Sequence, residues 1–279
     1  MITCTDCGFE NPLASEQCSC CGMFLGFPNV NDCSQKEELK ALKKRYKEKV
    51  ESASQKGFDD KRIEFEKAEK KSVAVINVDL DYLQMLMLWE NSLYSTYQRQ
   101  IEGETRDLAP MEFEKKRLGV EGTLFGSYGK NIRYAALSLD GNGLKSYGPF
   151  TIILSDTAIK KRATLLEENS FHFVENHKIL AGGKIPKGYR AVWKDRHKLA
   201  VAKLPEKITL TKKENYATIV MDSTGDRKTD EFIEVHIFGK INKASIKAIR
   251  GCSKIEPAQK IIKKIKAYLI DNKKEWIEE

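Results

Sequence analysis

No stretch of 18 uncharged apolar residues occurs in this 279-residue chain, which excludes a membrane-spanning helix. The opening MITCTDCGFENP has neither a basic segment nor an apolar one, so it does not read as a secretory signal, and a cytoplasmic location is expected. Glycine-rich phosphate handles are missing: there is no GxxxxGKS/T, and no GxGxxG between a strand and a helix. An HExxH helix and a GxSxG elbow are absent too, which removes the usual zinc-peptidase and serine-hydrolase layouts. Histidine is scarce. His172, His177, His197 and His236 share no metal-ligating spacing, and each alone reads as structural. Disulfides are not expected either. Five of the seven cysteines crowd into the first 21 residues, and in a cytosolic chain such crowding points to a metal.

What the chain has in quantity is charge. Charged residues make up 32% and hydrophobic residues 41%, enough for a core beneath a heavily solvated surface. The length suits one sizeable domain with smaller appendages. A net charge of +8, with lysine clusters at both ends, favours a polyanionic partner such as nucleic acid, or an acidic protein. A lysine-rich surface that is merely solvated would look the same.

The segment Cys4-Thr-Asp-Cys7-Gly8 is followed by a second pair, Cys18-Ser-Cys20-Cys21-Gly22. Each C-x2-C pair brings two thiolates onto one tight turn. The glycine after it can take a positive φ, so that backbone N–H groups approach the sulfurs. Four thiolates make a closed tetrahedral site suited to Zn²⁺, with a structural rather than catalytic role. Cys4, Cys7, Cys18 and Cys21 are the expected ligands, and Cys20 is the spare. The pattern resembles the short zinc ribbons at the N-termini of many bacterial proteins, and covers residues 1 to 27. That resemblance implies a docking or nucleic-acid platform. So short a module cannot bury a core, and metal binding must supply most of its folding energy.

Residues 34 to 71 are nearly all polar or charged. Leu39, Leu42, Tyr46 and Val50 mark one narrow apolar stripe, which predicts a helical connector broken near Gly57. From Val73 to the end, residues 73–279 read as a single α+β domain with a mainly antiparallel sheet. Strands are expected at Val73–Leu80, Ile132–Leu139, Phe150–Leu154 and Phe171–Val174. Thr218–Met221 and Phe232–Phe238 should form a further antiparallel pair. Helices are expected over Asp79–Glu102, 110–118, Asp156–Asn169, Trp193–Leu204 and Ile241–Ile249, and at the lysine-rich end of the chain.

One ordered set of polar residues stands out from this frame: Arg133 in Asn-Ile-Arg-Tyr134, Ser170 in Glu-Glu-Asn-Ser-Phe171, and Glu234 in Glu-Val-His-Ile-Phe-Gly239. Here the chain resembles the ADP-ribosyltransferase superfamily. Its bacterial toxin and phage-defence branch uses an Arg or His on an early strand, a Ser or Tyr on a middle one, and a late Glu. The resemblance runs loosely over residues 120 to 250. It implies a mainly antiparallel split sheet, NAD as the donor substrate, and a neutralising antitoxin protein as partner. Glu234 would stabilise the oxocarbenium-like ribose, Arg133 would pair with the cofactor phosphates, Ser170 would orient the carboxylate or the ribose, and Tyr134 and Tyr147 would stack on nicotinamide. Taken singly, Glu234 reads equally as an exposed strand residue, Arg133 as a strand-edge cap and Ser170 as a turn residue. Arginine-modifying members carry Gln or Glu two positions before the catalytic Glu, where this chain has Phe232. That departure, with the charge and the ribbon, favours RNA or DNA as acceptor. Two other readings stay open: a non-enzymatic zinc-ribbon adaptor, and a Mg²⁺-dependent nuclease built on Asp222, Asp226, Asp230 and Glu234.

Overall fold

In the computed structural model, residues 1–95, 111–203, 208, 215–254 and 258–279 are described. Two residue pairs, Ile2–Thr3 (β1) and Glu10–Asn11 (β2), make a minimal antiparallel ribbon around the cysteines. Pro28 then opens a helix at its first turn, where a missing N–H costs nothing, and Pro28–Cys33 forms α1. Lys36–Gln55 (α2) and Asp59–Glu69 (α3) follow, parted at Gly57, whose φ of +72° favours glycine. Asp59 and Asp60 in the first turn of α3 complement its dipole. The stripe on α2 is used unevenly. Leu42 is buried with Phe65 of α3 in the main core, while Leu39 stays 40% exposed.

The β-branched run Val73–Val78 forms strand β3, and Asp79 caps the following helix Leu80–Leu88 (α4) by accepting from Tyr82 N–H at 2.8 Å. α4 ends before Trp89, short of the Glu102 expected from periodicity; residues 96–102 lie outside the described residues. Met111–Phe125 (α5) is longer than the 110–118 expected. Ile132–Ser138 (β4) and Phe150–Leu154 (β5) are strands, as their composition predicts.

The next segment departs from expectation. Asp156–Ile159 (α6) is one turn only, and Ala163–Leu166 (β6) is a buried strand, since four consecutive apolar-compatible residues gain more by pairing in the sheet than on a polar helix. Ser170–Asn176 (α7) is a helix where a strand was expected. Its cap decides it: the Asn169 side chain accepts from Phe171 N–H at 3.0 Å, and a short apolar run fits either period.

Arg190–Val192 (β7), Arg196–Lys203 (α8) and Tyr216–Val220 (α9) lead to Met221–Asp222 (β8) and Glu231–Phe232 (β9), which pair antiparallel. Thr218–Val220, expected as strand, thus belongs to a helix. Glu234–Phe238 (β10) continues beyond. The helix expected at Ile241–Ile249 is instead a three-residue 3-10 turn and Ile246–Gly251 (β11), because Asn242 and Ser245 close a capping box and the Ile pair joins β5. Gln259–Asp271 (α10) and Glu275–Glu278 (β12) end the chain.

Eight strands form one sheet in the order β12-β11-β5-β3-β4-β10-β6-β7, antiparallel at every step except β11 with β12. The sheet is continuous through β3, yet it forks there. β3 pairs with β4 only from Val73 to Val75, opposite Ser138 to Ala136, and with β5 from Val75 to Val78. Past Val75 the two strands part, and Ile132–Ala135 of β4 are held only by β10. The chain is therefore a mixed helix-and-sheet protein whose large sheet opens at its middle. Helices α2 and α3 pack with α8, and Arg190 of β7 ties in α1 and α2 by pairing with Asp32 and, at 3.4 Å, with Glu38.

Candidate functional site

Two clusters gather chemistry. The first lies in the N-terminal ribbon. The Sγ atoms of Cys4, Cys7, Cys18 and Cys21 all lie within 4.8 Å of one another, with Cys4–Cys21 and Cys7–Cys18 at 3.6 Å. A tetrahedral thiolate site with metal–sulfur bonds of about 2.3 Å has sulfur edges of about 3.8 Å, so the cage fits a metal ion with little adjustment. The two knuckles repeat each other. Gly8 N–H donates to Cys4 O at 3.0 Å and Gly22 N–H to Cys18 O at 2.9 Å, with φ of +75° at both glycines. Fully buried Asn11 braces the cage by donating to Cys18 Sγ at 3.5 Å and accepting from Ser19 N–H at 2.9 Å. Cys20 is exposed and outside the cluster.

The ribbon is anchored to the sheet. Phe24 packs on Phe27 and Phe27 on Phe238 of β10, at 5.2 and 5.8 Å between ring centroids. The buried Asn29 amide reaches Arg162 O at 3.0 Å, Thr164 Oγ1 at 3.3 Å and His236 O at 3.1 Å.

The second cluster occupies the fork of the sheet. A cleft of about 200 Å³ is lined on one side by Val75, Ile76 and Asn77 of β3 and on the other by residues 133–136 of β4. A second lobe of about 210 Å³ runs toward α5 and α7, past Val120, Glu121, Asn169 and Phe171. Tyr134, Tyr147 and Glu234 line both lobes.

Glu234 is 6% exposed. Its Oε2 accepts from Ser170 N–H at 3.0 Å, from the Ser170 hydroxyl, and from His236 Nε2 at 3.0 Å. All three bonds converge on one oxygen, and Oε1 receives none from the described residues. The expected Ser170–Glu234 pairing is thus present, with Ser170 opening a helix instead of a strand.

Tyr134 stands opposite His236 in the ladder and shares the face of Glu234. Burial, with Glu121 and Glu234 beside it, holds its phenol well above the ordinary range. Tyr147 is pushed up to about 12, first by burial and then by Glu234. Arg227 lies 4.6 Å above the Tyr147 ring and donates to Ser146 O at 2.9 Å, so the ring is held from behind. Gly148 makes this approach possible. At φ +144° it brings the chain so close to β3 that a Cβ would lie 2.4 Å from the Val78 carbonyl.

Arg133 lines the first lobe but is placed differently. It stands opposite Ile237, so strand alternation sets it on the reverse face from Glu234, and its Nη1 donates to Asn131 O at 2.8 Å. It meets the cleft only because the sheet is open there. Within the second lobe Arg117 pairs with Glu121 at 2.7 Å, while burial raises the Glu121 carboxyl above its usual range.

The acidic set expected of a nuclease does not converge. Asp230 is buried, accepting from Thr224 N–H at 2.8 Å and from the Ser146 hydroxyl; Asp226 accepts from Lys228 N–H at 2.9 Å; Asp222 is exposed. Among the described residues, the cysteines are the one group spaced to hold a metal.

Sequence reasoning missed His236, which it read as structural, and Glu121. A signal for His236 was available: on a strand, residues i and i+2 share a face, so Glu234-Val-His236 puts carboxylate and imidazole side by side. No such local signal links Glu121, on α5, to a strand more than a hundred residues later. No helix among the described residues is long and apolar enough to cross a membrane. The chain matches no family model, and a search of curated proteins finds no similar sequence.

Proposed function

We propose that the chain is a NAD-dependent mono-ADP-ribosyltransferase that cleaves the nicotinamide–ribose bond at Glu234 and passes ADP-ribose to nucleic acid. The observation that carries this reading is the state of Glu234. It is a buried carboxylate clamped through one oxygen, set where both lobes of a cleft meet in an opened sheet. An ADP-ribosyltransferase-like split sheet would use that opening for NAD, with one lobe for nicotinamide and its ribose.

In the reaction the C1′–N bond breaks and its electron pair leaves with nicotinamide. Positive charge spreads over C1′ and the ring oxygen. Oε1 of Glu234 accepts the ribose 2′-hydroxyl, and its negative charge stabilises that cation. The acceptor's lone pair then forms the new bond to C1′, and its proton passes to solvent. Tyr147, stiffened from behind by Arg227, offers its free face for stacking. Arg133 would reach the pyrophosphate through the fork.

The four-cysteine cage would hold Zn²⁺ as a structural ion, since four thiolates leave no open ligand position. Nucleic acid as the acceptor is favoured by the +8 charge and by the cations Lys130 and Arg227 beside the cleft. A toxin or phage-defence role, with an antitoxin as partner, belongs to the same proposal through the sequence resemblance.

The test is incubation with NAD labelled in its adenylate phosphate, together with separate RNA, DNA and protein pools. Label should enter an RNA or DNA pool and be lost in Glu234→Gln. Label entering only protein would overturn the acceptor. Absence of label everywhere, from a folded protein, would favour a binding adaptor.

A further inference from the structure

We infer that His236 is a positioning residue that fixes the rotation of the Glu234 carboxylate so that Oε1 faces the cleft. The inference rests on the proposed reaction at Glu234. A glutamate side chain turns easily about its last bond, and a reacting carboxylate must not. Ser170 supplies its two donors from a single residue on α7, leaving the carboxylate free to pivot about that point. His236 supplies a donor from a second direction, and two directions on one oxygen set the plane of the carboxylate. It lies two residues along the same strand, on the same face, with Nε2 3.0 Å from the same Oε2.

The imidazole is itself held. It is 2% exposed, and the rings of Phe125 and Tyr134 stand edge-on to it, with centroids at 4.8 and 5.5 Å and interplanar angles of 85°. Its backbone carbonyl accepts from the Asn29 amide at 3.1 Å, and its strand is paired on both sides. An ionised carboxylate can only accept, so this contact requires the proton on Nε2. A histidine kept merely to fill the core would need neither that tautomer nor that oxygen.

Two measurements on the full chain test this. The first compares NAD hydrolysis, read as nicotinamide release, in His236→Phe and His236→Gln. Phe keeps the ring and loses the donor; the Gln amide nitrogen reaches as far as Nε2 and keeps it. A hydrogen bond to a charged group is worth about a ten- to hundredfold change, so His236→Phe should lose that much in kcat with KM for NAD nearly unchanged. His236→Gln should recover most of it. Wild-type kcat in His236→Phe, or an equal loss in both variants at equal thermal stability, would overturn the inference.

The second measurement needs no activity and no variant at His236. Nitrogen NMR of the imidazole should find Nε2 protonated, with its resonance shifting in Glu234→Gln. A bare Nε2, or no shift, would overturn it as well. A wild type that leaves NAD intact yet shows the NMR signature would sink the reaction while the His236–Glu234 contact stands.

Discussion

Glu234 and Glu69 are both buried carboxylates, and the difference between them is a matter of partners. Glu234 meets three donors; Glu69, at 0% exposure, has neither carboxylate oxygen hydrogen-bonded among the described residues, and burial lifts its carboxyl to about 8 against the partial pull of Arg196 and Ser72. A carboxyl raised in the folded state binds a proton that the unfolded chain has already lost. The contribution of Glu69 to stability is therefore fully present below 4.5 and is lost as pH climbs toward about 8. Glu69→Gln should flatten this decline, and should be at least as stable as wild type at the upper end of that window. Urea denaturation across the range checks it, and an unchanged slope would show that Glu69 is not the titrating group. At the same scale, the sequence disclosed Glu234 through its surrounding strand and the cysteines through their spacing. It did not disclose the face that Arg133 occupies, because that depends on its register against Ile237, which no local pattern encodes.

Among the elements, those with a single strong period were legible. β3 and β5 are mostly apolar, β-branched runs, each interrupted once, by Asn77 and Thr151, and the start of α4 is announced by a capping Asp79. Short apolar runs were not. Phe171–Val174 fits a strand or a helix equally, and Asn169 settled it; Ile246–Ile249 looked helical until pairing with β5 claimed it. Helix α2 shows a subtler case: its narrow apolar stripe predicts a spacer with one edge on the main domain, and of that stripe Leu42 enters the main core while Leu39 stays exposed. Leu42→Ala should therefore cost the whole protein about 2–5 kcal/mol in chemical denaturation, as a buried leucine does. A change confined to local helix content, with no shift in the global transition, would return α2 to the role of an independent arm.

At the scale of the whole molecule, the ribbon and the cleft are linked through Phe27, Asn29 and β10. Losing the metal should unfold the ribbon and loosen that strand. Cys4→Ser combined with Cys7→Ser should abolish zinc by atomic absorption and lower the thermal transition of the main domain; retained zinc would refute the cage. The fork of the sheet is a whole-molecule property too, produced by where β3 changes partners at Val75, and sequence gave only its ingredients. The most direct test of the central claim is the rate of nicotinamide release from NAD by wild type and by Glu234→Gln, a nearly isosteric change that removes the charge. Release by wild type, falling about 10²–10³-fold in a variant that loses the charge and exchanges one acceptor oxygen for an N–H donor while the fold is kept, is the predicted result. Equal rates in the two proteins, or none in wild type, would contradict it.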